Sequence, residues 1–545
     1  MERRELSHFW LGAAALGALG LFAAGPAGAQ DTSVALSGFQ QIFEPIAENG
    51  DAEGDDTTFG EHVGISGNWA IIGDREDDAD GVAGIGAAYF YENVAGVWTF
   101  RQKVTGVSAP GQPALTAGAE FGAGLAIHGD TAVVSAFRDN RFLSQMGSAF
   151  VYKLDNGVWT QTDNIGPGAG SGSIGGAAGD FFGGDSEGRS VDIWQNRIAI
   201  GAFRTDDVPG EVDSGALYIY EDVTGLGDFD QVARLVPSDN ADGDQFGYST
   251  AISGDWAMAG AFRADEPGSQ TGEAYAFKRD SGGNWTESQI LLPSDVLPGD
   301  QFGARLALDG NLAVISSFRA DVLDPNVNSQ TGKAYIFELD TNTDQWVEAA
   351  TLIPSDPTHG DFFGFDVDIV GETVVVTAEF SDEVGTGASG TAYIFQKVNN
   401  VWTEVANFYP DTITEGYNFG HSVAFDGTSL IFGTEPANNA EDSAFIITLA
   451  DLLAGEELVG DLDGDGFVGI TDLNIVLGNW NQNVTAGDPL LGDPSGDGFV
   501  GIEDLNTVLG NWNAGTPPAL SAVPEPTTAA VFTAGLLLLR RRRQA

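Results

Sequence analysis

The chain has no cysteine, and basic residues are scarce in it. Without cysteine among its 545 residues, it can form neither disulfide bonds nor thiolate metal sites. Only 23 lysines and arginines accompany 79 aspartates and glutamates, which leaves a net charge of -56. Such a surface repels nucleic acid and anionic membranes, so neither is an expected partner. Packing, strand pairing or bound calcium must hold the fold together.

Recognisable catalytic motifs are also missing. The histidines have no metal-ligand spacing; they are His8, His62, His128, His359 and His421. The chain contains no Gly-x-Ser-x-Gly elbow and no phosphate-binding loop. Carboxylates are numerous enough for a glycosidase pair, but their number does not place them at the required separation. We therefore predict that the chain is not an enzyme.

The N-terminal segment has the features of a secretory signal peptide. Arg3 and Arg4 precede an apolar stretch, and residues 27–29 are the small residues Ala, Gly and Ala. This pattern predicts a signal peptide over residues 1–29, with cleavage before Gln30. A retained membrane anchor is the alternative.

The C-terminal segment, residues 524–545, has three parts. It begins with Pro-Glu-Pro, continues with a short apolar stretch and ends with four arginines before Gln544. The apolar stretch is shorter than the about 20 residues of a comfortable membrane span. The segment resembles the PEP-CTERM sorting signal of bacteria that use an exosortase. The resemblance implies transient anchoring, cleavage by an exosortase-type enzyme and a final location at the cell surface or outside the cell. A hydrophobic tail without function is the alternative.

A Phe-Gly pair recurs seven times, at intervals of roughly 56 to 64 residues. The pairs begin at Phe59, Phe121, Phe182, Phe246, Phe302, Phe363 and Phe419. Each unit then holds strand-like runs separated by Gly, Asp and Asn turns. Four short strands cannot bury both faces alone, whereas seven such units arranged radially can. Unit seven lacks its fourth run, and residues 38–43 supply a spare one. We therefore predict an all-β, seven-bladed β-propeller over residues 35–450, closed by its N-terminal strand.

The repeated phrase resembles the FG-GAP repeats of integrin-α-type propellers, over about 400 residues. Calcium-binding members of that family carry a dense Asp-x-Asp-x-Asp-Gly loop in some blades, and the loops here are sparser. An aspartate precedes Phe-Gly by two residues at Asp244, Asp300 and Asp361. Two interpretations follow: these aspartates cap their own turns, or they bind calcium.

Arginines recur where the long loops between strands two and three begin. They are Arg75, Arg138, Arg204, Arg263 and Arg319. Each has an aspartate one to three residues later, namely Asp77, Asp139, Asp206, Asp265 and Asp321. One interpretation is an Arg–Asp pair that orders each loop. The other is an arginine ring that binds an acidic or sugar ligand on the long-loop face.

Two twelve-residue loops after the propeller have the spacing of EF-hand calcium loops. Oxygen ligands fall at loop positions 1, 3, 5 and 12, with glycine at position 6 and a backbone carbonyl at position 7. In the first loop these are Asp461, Asp463, Asp465, Asp472 and the carbonyl of Phe467. In the second they are Asp493, Ser495, Asp497, Asp504 and the carbonyl of Phe499. The sequence therefore predicts Ca²⁺ as a cofactor, bound more weakly by the second, less charged loop.

Each loop is followed by Leu-Asn-x-Val-Leu-Gly-Asn-Trp, which predicts a short amphipathic helix. The duplicated loop and helix resemble a type I dockerin over residues 455–515, with a linker at 516–523. The resemblance implies a small α-helical domain that folds on calcium and binds a cohesin-like domain. Loop positions 10 and 11 hold Ile470-Thr471 and Ile502-Glu503, where cohesin-binding dockerins often have Ser and Thr. A calcium-stabilised stalk is therefore the alternative.

Together these features predict a secreted or cell-surface calcium-binding protein whose propeller binds a protein or glycan ligand. The dockerin-like module would serve assembly or attachment. Two alternatives stay open: a polysaccharide-degrading enzyme with an appended dockerin, and a structural envelope protein without a discrete ligand.

Overall fold

The computed structural model describes residues 34–45, 58–106, 114–141, 143–167, 177–184, 189–206, 212–322, 330–382, 388–414, 416–435, 443–454, 462–463, 467–485, 489–495, 497–510 and 512. The predicted signal peptide, linker and sorting segment lie outside these residues, so secretion and sorting stay predictions. Within the described ranges, no helix is long and apolar enough to cross a membrane.

The chain divides into two compact units. The first comprises residues 1–35 and 39–446, and the second comprises residues 36–38 and 447–545. The first unit contains seven antiparallel sheets, each with four strands of one blade. This confirms the predicted all-β, seven-bladed propeller.

Blades 1 to 6 each use four consecutive strands, and the first strand of each blade lines a central channel. Blade 1 has β3 (Val63–Ser66), β4 (Trp69–Asp74), β5 (Ala87–Val94) and β6 (Val97–Val104); blade 2 has β7 (Phe121–His128), β8 (Thr131–Ala136), β9 (Ser148–Asp155) and β10 (Val158–Ile165). Blade 3 has β11 (Val191–Trp194), β12 (Arg197–Ala202), β13 (Ala216–Glu221) and β14 (Asp230–Leu235); blade 4 has β15 (Thr250–Ser253), β16 (Trp256–Ala261), β17 (Glu273–Arg279) and β18 (Trp285–Leu291). Blade 5 has β19 (Leu306–Asp309), β20 (Leu312–Ser317), β21 (Lys333–Asp340) and β22 (Gln345–Leu352); blade 6 has β23 (Val367–Val370), β24 (Thr373–Ala378), β25 (Thr391–Val398) and β26 (Val401–Pro410).

Blade 7 is assembled from both ends of the propeller. It contains β27 (Val423–Phe425), β28 (Ser429–Gly433), β29 (Ser443–Thr448) and the N-terminal β2 (Gln40–Phe43). In the antiparallel pairing of β2 with β29, Gln40 lies opposite Ile446 and Phe43 opposite Ser443. The predicted ring closure is thus confirmed. A further short strand, β1 (Val34–Leu36), pairs with β26 at the edge of blade 6.

The Phe of each Phe-Gly pair is a buried anchor of its blade. In blades 1 and 3 to 6 it packs edge-on against a tyrosine of the third strand, as Phe59 does against Tyr89 at 5.3 Å and Phe363 against Tyr393 at 5.2 Å between ring centroids. Edge-to-face aromatic pairs add to the energy of area burial. The Phe-Gly repeat therefore marks a packing position, which explains its regular recurrence.

The aspartates two residues before Phe-Gly cap their own turns. Asp244, Asp300 and Asp361 each accept a hydrogen bond of 2.8 Å from the backbone N–H three residues earlier. The turn-capping interpretation is therefore confirmed for these three carboxylates.

The second unit contains two loop–helix segments around a small apolar core. Its helices are α1 (Leu449–Ala454), α2 (Ile470–Gly478) and α3 (Ile502–Gly510), with a 3-10 turn at Pro489–Leu491. Val468 and Val476 from the first segment pack with their counterparts Val500 and Val508 from the second. The short helix α1 precedes the first loop.

Candidate functional site

The long-loop face carries the turns that hold Phe-Gly and the loops between strands two and three. Two ring positions on it matter: the inner one is the first residue after strand two, and the outer one is the next residue. The inner positions of blades 1 to 6 hold Arg75, Phe137, Phe203, Phe262, Phe318 and Glu379. In blade 7, strand two ends one residue earlier in the register, and Glu435 takes the inner position. The outer positions of blades 1 to 6 hold Glu76, Arg138, Arg204, Arg263, Arg319 and Phe380.

Arg75 does not hold the place of the other loop arginines. Asp74 pairs with Ala87 at the start of the third strand, as Ala136 pairs with Ser148 in blade 2. Arg75 therefore takes the inner position, where blade 2 has Phe137. The prediction of five equivalent arginines is corrected to four.

Those four, Arg138, Arg204, Arg263 and Arg319, form what we name the arginine arc. Each is exposed and lies on the phenylalanine that precedes it, with 5.2 to 5.6 Å between the guanidinium carbon and the ring centroid. Arg204 also lies 4.7 Å from the ring of Phe181. Cation–π contact holds a guanidinium flat while leaving its N–H groups free to bind a ligand.

The loop aspartates do not pair with the arc. Asp206, Asp265 and Asp321 instead accept backbone N–H groups at the far ends of their loops, from Asp213 at 3.0 Å, Gln270 at 2.7 Å and Gln330 at 2.9 Å. Asp139 pairs with Arg141 at 2.7 Å, and Asp77 with Lys103 at 2.5 Å. The Arg–Asp interpretation is therefore wrong for these loops. Arg204, Arg263 and Arg319 form no ion pair with any residue that the structure describes.

Arg75 belongs to a buried ion network at the boundary between blades 1 and 2. It contacts Glu61 at 2.7 Å, Glu76 at 2.7 Å and Glu120 at 3.4 Å. Glu120 also contacts Arg138 at 2.5 Å. Burial raises the pKa of Glu61 to about 7, although Arg75 acts in the opposite direction. The network neutralises Arg75, so this residue is a poor candidate for ligand contact.

Blades 6 and 7 bring two carboxylates and an imidazole together near the channel mouth. His421 Nδ1 lies 2.9 Å from Glu379 Oε1 and 3.4 Å from Glu435 Oε2. The His421 ring also lies 5.3 Å from the ring of Phe365 and 6.1 Å from that of His62. Burial alone would lower the pKa of His421, but Glu379, Glu435 and Glu61 outweigh burial and raise it to about 9. We name Glu379, His421 and Glu435 the Glu–His–Glu cluster.

The central channel encloses about 330 Å³ between the seven innermost strands. Arg189 pairs with Asp366 at 2.5 Å, and Arg305 lies between the rings of Tyr248 and Phe365, 5.4 Å from each. Four aspartates line the channel, and burial raises the pKa of Asp192 to about 6 and that of Asp368 to about 7.

The second calcium-type loop brings three of its five predicted ligands together, namely Asp493, Ser495 and Asp504. Asp493 Oδ1 lies 3.1 Å from Ser495 Oγ, and Ser495 N lies 3.1 Å from Asp504 Oδ1. Both aspartates are fully buried. Asp497 Oδ1 accepts the backbone N–H of Phe499 at 2.7 Å. Convergent buried carboxylates of this kind fit a hard cation.

The first loop is described only in part. Asp461 and Asp465 lie outside the described residues, whereas Asp463, Phe467 and Asp472 lie within them. Asp472 is fully buried and accepts N–H groups from Leu462 at 2.6 Å and Gly469 at 2.7 Å. It thus holds the same place as Asp504 in the second loop.

The Glu–His–Glu cluster was not predicted from the sequence. The usable signal is a departure from the repeat, since blades 2 to 5 have phenylalanine where Glu379 and Glu435 stand. That departure becomes visible only after the strand register has aligned the seven units.

The chain contains FG-GAP repeats. The FG-GAP repeat family matches residues 115–152, 174–220, 229–277, 285–337 and 346–395. These segments fall in blades 2 to 6 of the propeller. A comparison with curated proteins finds no match.

Three solved structures are similar to this chain. A protein from Lactobacillus plantarum is 15% identical, with a TM-score of 0.38, covering 65% of this chain and 84% of that one. The periplasmic gluconolactonase of Pseudomonas aeruginosa is 11% identical, with a TM-score of 0.37 and coverages of 65% and 86%. A putative 6-phosphogluconolactonase from Bacteroides uniformis is 11% identical, with a TM-score of 0.40 and coverages of 70% and 95%.

These structures overturn one prediction. Two of the three carry lactonase names. The prediction that the chain is not an enzyme, which depends on missing motifs alone, is therefore wrong. No substrate or residue role is carried over from them, because every TM-score is below 0.5.

Proposed function

We propose that this FG-GAP repeat propeller binds an anionic glycan, one that bears carboxylate or sulfate groups, on its long-loop face. The arginine arc is the observation that supports the proposal. Four exposed guanidinium groups stand in consecutive blades of a protein whose net charge is -56. Guanidinium groups bind carboxylates and sulfates through paired hydrogen bonds. A curved row of four suits a chain with repeated anionic groups better than a single small anion.

The net negative charge of the protein does not prevent such binding. At physiological ionic strength, exposed charges act over about 8 Å. A ligand on the arc therefore interacts mainly with the arginines and little with distant carboxylates. Three of the four arginines have no ion-pair partner among the described residues, so they lose no existing pair when they bind.

The test compares the full chain with a triple variant, Arg204→Gln, Arg263→Gln and Arg319→Gln. Retention on immobilised carboxylated, sulfated and neutral polysaccharides is measured at about 0.15 M salt. We expect retention on the anionic polymers, with at least about tenfold weaker binding by the triple variant. An acidic peptide with the same charge as the anionic polysaccharide is tested in parallel, to represent a protein ligand.

The matched control is Arg101→Gln, Lys153→Gln and Lys278→Gln, which removes the same charge from the third and fourth strands. Equal loss in both triple variants would show unspecific attraction and reject the arc as a site. Equal retention of the neutral polymer or preference for the acidic peptide would reject the glycan. Cleavage of the polymer in the same mixtures would show that the propeller also acts on the glycan that it binds.

A second function, calcium binding by the C-terminal unit, is supported by the convergence of Asp493, Ser495 and Asp504. The donor set is all oxygen, and calcium would supply the positive charge that buried carboxylates otherwise lack. A cohesin-like partner for this unit stays a prediction.

Calorimetric titration of the full chain with calcium tests this second function. We expect two bound ions, and loss of the weaker one in Asp497→Asn. Asp451→Asn changes an exposed carboxylate of α1, outside both loops, and should leave both ions bound. No calcium uptake at about millimolar metal would contradict the assignment.

A further inference from the structure

We propose that Glu379, His421 and Glu435 bind one divalent transition-metal ion of the zinc class at the channel mouth on the long-loop face. The site goes beyond the proposed glycan binding and does not depend on it.

The geometry of the cluster suits shared coordination of one ion. Metal–ligand distances of about 2.0 to 2.2 Å place neighbouring ligand atoms roughly 2.9 to 3.5 Å apart. His421 Nδ1 lies 2.9 Å from one glutamate oxygen and 3.4 Å from the other. One atom of each residue lies within 4.8 Å of the other two. Small movements of the side chains would therefore suffice to bind the ion.

Buried polar atoms without partners are a second, independent observation. Glu379 is 0% exposed, and its Oε2 receives no N–H or hydroxyl hydrogen bond from the described residues, while the carboxyl of Glu435 lies within hydrogen-bond reach of this glutamate. His62 Nε2 is also buried without a partner in the described part of the chain, and its ring lies beside His421. Such groups are rare in folded proteins, because each loses its hydration without compensation. A cation would supply the missing partner for Glu379.

The composition of the cluster separates it from the calcium-type loops. An imidazole nitrogen with two carboxylates favours zinc and related first-row ions, whereas calcium favours sites made of oxygen alone. Three protein ligands leave at least one position on the ion open, as in catalytic rather than structural zinc sites. The cluster lies at the long-loop ends of blades 6 and 7, on the face that also carries the arginine arc.

The full chain is titrated with Zn²⁺ in the presence of about 5 mM Ca²⁺, which keeps the calcium-type loops loaded. We expect uptake of one zinc ion with a micromolar or lower Kd. Glu435→Gln should weaken it at least tenfold, and this glutamate side chain is 46% exposed, so the fold should tolerate the change. His421→Asn should abolish uptake, and Co²⁺ in place of zinc should give visible absorption that Glu435→Gln alters.

The control is Glu76→Gln, which removes a carboxylate that is 43% exposed from the same face but not from the cluster. It should leave zinc uptake unchanged. Equal zinc affinity in wild type and Glu435→Gln would overturn the site. So would displacement of zinc by calcium at equal concentration, or no uptake at about 100 μM zinc. Loss of zinc binding with intact glycan retention would leave the proposed function standing, so the two proposals fail separately.

Discussion

Carboxylates on the innermost strands join neighbouring blades at the channel. Asp368 accepts N–H groups from Ile369 at 2.8 Å in its own strand and from Phe425 at 2.7 Å in the next blade. Asp192 does the same with Ile193 and Ile252. These single residues thus contribute to the packing of blades and also titrate near neutral pH.

Asp368 predicts a pH dependence of stability. Burial raises the pKa of Asp368 in the folded chain from the ordinary value of 3.8 to about 7. Between these two pH values, Asp368 therefore keeps its proton in the folded chain and has released it in the unfolded chain. Stability is therefore higher at the acid end of this window and falls as pH rises. Asp368→Asn should show a flatter decline between about pH 4.5 and 7.5 in urea unfolding.

Asp309→Asn is the control, because Asp309 also accepts an N–H from the neighbouring blade, that of Gly371 at 2.7 Å, but on an exposed turn. Identical slopes for wild type and Asp368→Asn would contradict the role assigned to Asp368.

The glycine that is the last but one residue of strand two in blade 3 makes the close approach between blades possible. A Cβ at Gly201 would lie 1.8 Å from the carbonyl oxygen of Gly247, the Phe-Gly glycine of the next blade. Gly201→Ala should therefore cost about 3 kcal/mol or more in the free energy of unfolding. Gly254→Ala is the matched change, since it has φ of +61° but nothing within 4 Å, and should cost about 1 kcal/mol. Equal costs would show that backbone strain, rather than the contact with Gly247, dominates.

At the scale of elements, a glutamine on the outermost strand of one blade hydrogen-bonds to the outermost strand of the next blade, a contact that we name the glutamine clasp. Gln102 and Trp159 exchange two hydrogen bonds, of 2.7 and 3.0 Å, between the side-chain amide and the backbone. Gln40 on β2 makes the same pair with Trp98, at 2.7 and 2.8 Å. The N-terminal strand therefore closes the ring through its ladder with β29 and through this clasp on blade 1.

Gln40→Ala should lower the free energy of unfolding by about 1 to 3 kcal/mol, because two backbone groups of Trp98 lose their partner. Gln41→Ala is the neighbouring control. Among the described residues, the Gln41 amide donates to the hydroxyl groups of Tyr417 at 3.5 Å and Ser443 at 3.1 Å, and not to blade 1. The free energies of unfolding of wild type and both variants are measured by urea denaturation and compared. A larger loss in Gln41→Ala would argue against the clasp as a closing contact.

At the scale of the whole molecule, carboxylates outnumber basic groups by more than three to one. Even if every lysine and arginine were paired, most carboxylates would repel one another. Self-repulsion of this kind destabilises the compact state and is reduced by salt.

We therefore expect Tm to rise with NaCl between about 10 and 150 mM, over which the screening length falls from about 30 to 8 Å. Chelator is kept in all samples, so that bound calcium does not vary. An unchanged or falling Tm would mean that attractive ion pairs, such as the Arg75 network, outweigh the repulsion.

The sequence by itself determined the blade number, the ring closure and the repeated turns. Each depends on local chemistry that recurs along the chain: a buried Phe and a glycine in all seven units, and an aspartate that caps its own turn in units three to six. Because strands one and two and their turn are adjacent in the chain, their pattern is visible without any knowledge of distant contacts. The spare N-terminal strand followed from counting, since the last unit was one strand short.

Only the tertiary structure decided which side chains meet on the long-loop face. Glu379 and His421 are 42 residues apart, and they meet because the ring places blades 6 and 7 side by side at the channel mouth. The strand register separated Arg75 from the arginine arc, and loop geometry turned the aspartates away from the arginines toward backbone N–H groups. A one-dimensional pattern gives residue order, whereas ion pairing depends on distances of 3 to 4 Å that only the closed ring sets.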